Sequence, residues 1–268
     1  VRKTSSKDGF FSWIRERHRI WQRRSAGQPK PWTKDEIMRR YKFTNVFREL
    51  DTGTRALRSM TRRGMPQADT IFNVAWYRMF NRAEHAENIG WCETHDQLVD
   101  RMCDVERSGA KVFTGCHMHN GTMRDNLRSL GDIANDRVEL ESKMRAEERL
   151  EHAFNLLLKY RCVGPFIAYE IVTDLRFELN IPWRDPMTWA NVGPGSKRGL
   201  QRLGMKPNNG SMMELLDLAP QYLPLDRWHS QSGLPFEMRE IEHSLCEFDK
   251  YERARLGDGV PKQRYDGA

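Results

Sequence analysis

The 268-residue sequence has no apolar run approaching the roughly 18–20 residues a membrane-spanning helix needs, so no membrane span is expected. Its N-terminus is basic but lacks an apolar stretch and a small-residue cleavage site, so no secretory leader is expected either. Cysteine is scarce and odd in number: Cys92, Cys103, Cys116, Cys162 and Cys246, widely scattered. That usage argues against a disulfide framework and reads as reduced thiols in a cytoplasmic protein. Strand-length alternation of apolar and polar residues is missing, as are low-complexity tracts and any Pro/Gly/Ser-rich linker. The expectation is a mainly α protein: one helical domain over 32–268 carrying a basic N-terminal extension over 1–31.

What is plentiful is positive charge, and it is uneven. The chain holds 44 Lys+Arg against 37 Asp+Glu, a net +7, yet residues 1–70 alone contribute a net +11. The rest of the chain is net negative. Such asymmetry points to a polyanion partner, nucleic acid first, with a merely solvated arm as the competing reading. Arg15, Arg17, Arg19, Arg23 and Arg24 are the candidate backbone contacts, and the arm is expected to be removable without loss of chemistry.

Helical periodicity is read over 33–48 with Thr33 as N-cap, then over 70–89, 95–108, 121–160, 166–177, 196–203, 211–219 and 237–255. The closing Gly/Pro/charged stretch reads as a docked tail. Four motifs carry chemistry. Leu157 to Ile171 is an apolar helix, a turn containing Val163 and Gly164, and a second helix with Pro165 at its first position. That arrangement is similar to the helix-hairpin-helix of DNA-binding proteins, though an ordinary helix corner has the same pattern. Asp185 follows Gly164 at about the distance at which helix-hairpin-helix DNA glycosylases carry a catalytic aspartate; an N-cap of a helix starting at Pro186 is the alternative. Phe166 stands where bifunctional members have lysine, which disfavours Schiff-base chemistry there.

The second motif, Gly193-Pro194-Gly195-Ser196-Lys197-Arg198, combines glycines, a hydroxyl and two cations at a helix start, an anion-binding pattern. G-x-x-x-x-G-K-[ST] cannot be laid on it, so phosphoryl transfer from ATP is not expected of this sequence. Third, Tyr41, Asn45, Arg48 and Asp51 recur at helical spacing, which would put tyrosine, amide, guanidinium and carboxylate on one helix face. Fourth, on the helix over 237–255, Glu242, Cys246 and Asp249 share one face and His243, Glu247 and Lys250 another. Cys246 reads as packed. Cys116, His117 and His119 match no standard zinc spacing, so no metal is assigned.

Together with Trp32–Asp35, Val112–Gly115 and the run from Tyr41 to Asp51, these stretches resemble a phage family of thymidine hypermodification. It is described as alpha-glutamyl/putrescinyl thymine pyrophosphorylases, or amino acid:DNA transferases, and is related to the helical domain of 5-hydroxymethyluracil DNA kinases. The resemblance implies a DNA-glycosylase-like helical fold acting in the host cytoplasm on double-stranded phage DNA that bears modified thymidine. Pyrophosphate on a 5-pyrophosphoryloxymethyl base would be displaced by a free amino acid or polyamine. No cofactor is implied, although a divalent cation such as Mg²⁺ is compatible, and no oligomeric state follows. On that reading Gly193, Gly195, Ser196, Lys197 and Arg198 would hold pyrophosphate. Asp185 would take the amine proton, with Asp51, Glu247 and Asp249 as other carboxylates. Arg48 would clamp an anion, and Tyr41, Asn45, His243 and Lys250 would line the base or amine pocket. A monofunctional glycosylase and a non-catalytic DNA-binding accessory of a kinase are the competing readings.

Overall fold

Apolar residues at three- and four-residue spacing, punctuated by Asn, Gly and Pro, make nearly every element helical, and there is no strand among the described residues. The computed structural model describes residues 5–61, 65–115, 120–232 and 235–265. In chain order the helices are α1 (Lys7–Ser25), α2 (Glu36–Arg40), α3 (Thr52–Met60), α4 (Gln67–Phe80), α5 (Ala83–Asn88) and α6 (His95–Arg107). They continue with α7 (Met123–Ala146), α8 (Leu150–Leu157), α9 (Pro165–Glu178), α10 (Pro194–Arg202), α11 (Asn209–Tyr222), α12 (Leu225–Ser232) and α13 (Met238–Leu256). No helix among the described residues is long and apolar enough to cross a membrane. The chain divides into two compact units, Val1–Asp51 with Pro186–Ala268, and Thr52–Asp185.

In the first unit, α1 forms where an arm was expected. Ser6 caps it by accepting from Gly9 N at 3.1 Å, Asp8 sits in its first turn and Arg23 and Arg24 in its last, as the helix dipole favours. Phe10, Phe11, Trp13, Ile14, Arg17, His18 and Ile20 make its buried stripe. That stripe packs on α11 and α13, with Phe11 stacked on Tyr222 at 4.6 Å and Phe10 edge-on to Phe248 at 5.4 Å. Residues 7–25 are therefore core-forming rather than a detachable extension. The expected helix over 33–48 is also cut short: Asp35, not Thr33, caps α2, and the chain turns extended at Tyr41. The closing stretch docks as expected, Tyr265 N donating to Arg40 O and Lys42 N to Gln263 O.

His18 lies between Trp21 and Trp228, with neither ring nitrogen hydrogen-bonded among the described residues. Burial, helped by the charge of Arg17, pushes its pKa down from 6.5 to about 4. The unfolded chain therefore takes up this proton first as pH falls, and stability is lost between the unfolded and folded values. Urea unfolding should show about 3 kcal/mol less stability at pH 4 than at pH 6.5 from this one group. The measurable quantity is the difference between wild type and a His18→Phe variant, whose pH slope should be shallower by that amount.

The second unit is built around α4, where every residue from Thr70 to Phe80 is buried, Asn73 and Arg78 included. It packs against α7 and α9. Asn81, left-handed at φ +50°, ends it, so the helix expected over 70–89 is two. Arg78, within α4, is buried against Asp174 and Glu170 and donates to Thr54 Oγ1 at 2.8 Å. The helix expected over 121–160 likewise divides into α7, opened by a Thr122–Asp125 capping box, and α8. The turn carrying Val163 and Gly164 joins α8 to α9 with Gly164 as N-cap and Pro165 first in the helix, as the sequence pattern anticipates.

Candidate functional site

The polar groups of the first unit converge on the segment that leaves α2. Its aromatic and β-branched residues favour extended backbone, and Phe43, Val46 and Phe47 bury their side chains. Beyond Lys42, the segment satisfies backbone groups through side chains. Arg17 of α1, itself buried, donates to Phe43 O at 2.9 Å, Thr44 O at 2.9 Å and Asn45 Oδ1 at 2.6 Å. Thr44 N donates to Glu247 Oε2 at 3.1 Å, and Thr44 Oγ1 lies 2.5 Å from His243 Nε2. Lys250 closes this face of α13 with an ion pair to Glu247 at 2.7 Å and its ammonium over the Phe43 ring. The grouping of His243, Glu247 and Lys250 read from helical spacing is thus present.

The grouping of Tyr41 with Asn45, Arg48 and Asp51 on one helix is not. Tyr41 is drawn away to an antiparallel bridge with Arg264, and no helix runs through 41–47. A turn brings the other three together instead. Asn45 N donates to Asp51 Oδ1 at 2.8 Å, Asn45 Nδ2 to Leu50 O at 2.9 Å, and Arg48 Nη1 stands 3.7 Å from Asp51 Oδ2. Among the described residues, Asp51 Oδ2 accepts no hydrogen bond and Arg17 Nη1 donates none. Burial pushes the Asp51 pKa above the usual carboxylate range against the pull of Arg48, the Asn45 N–H and Arg17, with Glu247 adding to the rise. The result is a carboxylate of raised proton affinity whose second oxygen is itself buried, on a side chain 17% exposed. Arg17 was read from sequence as a DNA-facing cation. Its place four residues after Trp13 in the apolar stripe is the signal that it points inward.

Asp185, in the second unit, is employed differently. Its carboxylate is buried and accepts from Leu150 N at 2.5 Å and Glu151 N at 3.2 Å, with Arg149 Nε at 3.4 Å. It caps the start of α8. Both of its oxygens are thereby engaged by backbone N–H groups, with a guanidinium beside them. The expected alternative, a cap on a helix starting at Pro186, is not what forms: no helix starts there, and the carboxylate serves the start of α8 some 35 residues earlier in the chain.

The expected pyrophosphate cradle is also largely structural. A Cβ on Gly195 would collide with Cys246 Sγ, and one on Gly199 with the Leu245 carbonyl, so the two glycines let α10 approach α13. Ser196 is fully buried and turns back to Gly193 O at 3.1 Å, where Gly193 caps the helix. Arg198 pairs with Asp249 at 2.8 Å, as do Arg202 at 2.7 Å and Arg253 at 3.4 Å. Asp249 is therefore a fully buried anchor rather than an accessible base. Burial, with Glu247 and Glu242 nearby, pushes the Cys246 thiol up, in keeping with packing rather than nucleophilic use. Only Lys197 and Arg198 of this set are exposed. Gly199→Ala should cost about 1–3 kcal/mol in thermal denaturation, because Leu245 backbone cannot yield. Gly210→Ala, whose Cβ meets its nearest neighbour at 3.5 Å, should be close to neutral.

Among the N-terminal cations, Arg19 and Arg23 lie 3.8 and 3.6 Å from Glu16, and Arg15 reaches Tyr222 O at 3.4 Å. Arg24 lies over the Trp32 ring. No group of three or more His, Cys, Asp or Glu placed to hold a metal occurs among the described residues, and Cys116, His117 and His119 lie outside them.

Residues 4–260 match the family described as the 5-hmdU DNA kinase helical domain. A 5-hmdU DNA kinase of Bacillus phage SP10 is 28% identical over 286 residues, covering 91% of this chain and 44% of that protein. The chain thus spans less than half the length of that relative. No solved structure matches it. With the match running through the 43–51 segment, α10 and α13 alike, the chain belongs to the family of 5-hmdU DNA kinase helical domains.

Proposed function

We propose that this chain acts in the modification of thymine-derived bases in phage DNA, as a transferase that replaces pyrophosphate with an amine. The substrate would be a 5-pyrophosphoryloxymethyl-deoxyuridine in duplex DNA, presented by flipping. The amine nitrogen bonds to the methylene carbon, the carbon–oxygen bond to pyrophosphate breaks, and the ammonium proton passes to a carboxylate. The observation that carries the assignment is the Asn45–Arg48–Asp51 turn. It holds a carboxylate of raised proton affinity beside a guanidinium, on a segment lying within the family match. Asp51 takes the proton, a role the expectation had given first to Asp185. Arg48 holds pyrophosphate or the carboxylate of an incoming amino acid. Lys197 and Arg198 remain the exposed cations of α10 for the leaving group, and His243, Lys250 and Asn45 border the amine. In the second unit, the turn of Val163 and Gly164 offers backbone to a DNA phosphate.

The test is incubation with pyrophosphorylated hydroxymethyluracil DNA and a pool of amino acids and polyamines, followed by nucleoside digestion and mass spectrometry. An amine adduct with released pyrophosphate is expected. Free base and abasic sites would instead point to a glycosylase, a reading weakened by the capping role of Asp185. A second reading, a non-catalytic DNA-binding partner of a kinase, is favoured by the family description and by the 44% span of the phage kinase. DNA binding without adduct, unchanged by Asp51→Asn, would establish it.

A further inference from the structure

A cleft of about 590 Å³ opens in the first unit between the end of α1 and α2. Ile20 and Met38, both buried, form its apolar lining, and Trp32 and Tyr265 supply π surface. The two rings meet edge to face, 5.9 Å apart at 76°. Trp32 is fixed by its indole N–H to Gln28 O at 2.7 Å, and Tyr265 by its backbone N–H to Arg40 O at 3.1 Å. Cations crowd this aromatic corner. The Lys30 ammonium stands 5.5 Å from the Trp32 ring and 5.6 Å from the Tyr265 ring. Arg24 lies 6.0 Å over Trp32, and Lys42 lies 5.7 Å over Tyr265. Arg39 and Arg40 also line the cleft and are exposed, while Glu36 is its one acid among the described residues.

We propose that this cleft binds one unpaired nucleotide of a DNA strand, its base on the Trp32–Tyr265 corner and its phosphates among Lys30, Arg39 and Arg40. The inference rests on the proposed function for the choice of DNA. Charge complementarity and ring chemistry select the occupant. A paired duplex has no exposed base face for the rings, and an apolar peptide has no use for this density of cations. Base–aromatic stacking with flanking cations is how single strands are held. Exposed Lys30 rests on the ring faces and moves to a phosphate when a base takes its place. Asp51 is not among the residues that line the cleft, so the cleft holds a strand rather than carrying the chemistry.

Fluorescence anisotropy with a labelled single-stranded oligodeoxynucleotide and with the matched duplex tests this on the full chain. Trp32→Ala and Tyr265→Ala should each weaken single-strand binding about 10-fold or more, with Trp32→Phe within about threefold of wild type. Duplex affinity should be unmoved by these ring variants. Arg39→Glu with Arg40→Glu, both exposed, should also weaken single-strand binding and flatten its salt slope, even if a ring variant folds poorly. Wild-type single-strand affinity in the ring and arginine variants, or equal losses on both DNA forms in the ring variants, overturns the cleft while leaving the transferase reading standing. If the wild type binds neither form, both readings fail.

Discussion

Asp51→Asn should lower the single-turnover rate of amine transfer at saturating DNA by about 10²–10⁴, the usual worth of a positioned general base. Asparagine keeps an oxygen to accept from Asn45 N, so the turn is preserved and the loss falls on proton acceptance. The pH profile carries the sharper signature. A base must be deprotonated, and burial raises the pKa of Asp51, so the wild-type rate should fall as pH drops through a value above the ordinary carboxylate range. That limb should vanish in the variant. Asp185→Asn is the comparison, and its rate should stay near wild type because that carboxylate caps α8. A fall at Asp185 with Asp51→Asn within about threefold of wild type would reverse the assignment.

The largest loss of stability is expected from Asp249→Ala. Asp249 is fully buried beneath three arginines, of which Arg202 has only 7% of its side chain exposed. Removing the carboxylate strands the Arg202 guanidinium in the core, a change that costs about 3–5 kcal/mol where one partner of a buried pair is deleted. Against typical total stabilities of about 5–15 kcal/mol, chemical denaturation should show a first unit close to unfolding. Adding Arg202→Met should recover part of the loss, since apolar replacement of a buried pair is often tolerated. A cost under about 1 kcal/mol for Asp249→Ala would show that water reaches the cluster.

Periodicity made α9, α11 and α13 legible because each has a one-sided or continuous apolar pattern and a clear start. It even separated the two faces of α13, with His243, Glu247 and Lys250 against Phe43 and Thr44 and Asp249 against α10. It failed at 41–51, where Tyr41, Asn45 and Arg48 mimic helical spacing while Phe43, Val46 and Phe47 prefer extended backbone and bury. Tertiary partners decided the conflict: Arg17 donates to, and Glu247 accepts from, backbone groups that a helix would have paired internally. Glycine misled at α10 for a related reason. Gly195 and Gly199, four apart, permit helix–helix contact as readily as they permit an anion, and only the position of Leu245 and Cys246 separates the two uses. Charge misled at α1. Arginines interleaved with Phe10, Phe11, Trp13 and Ile14 read as an arm, whereas the apolar stripe between them is core.

The first unit is discontinuous along the chain, Val1–Asp51 being separated from Pro186–Ala268 by the whole of the second. During synthesis α1 therefore emerges long before α11 and α13, the helices that cover its aromatic stripe. Until then Phe10, Phe11, Trp13 and Ile14 have none of their native α11 and α13 partners, and the closing contacts span more than half the sequence. Thr52–Asp185, contiguous, can complete its own contacts first, and its collapse shortens the loop that the first unit must close. Translation order thus makes the inserted unit a tether for the one that frames Asp51. It also leaves the N-terminal aromatic stripe as the surface a nascent chain must keep from aggregating.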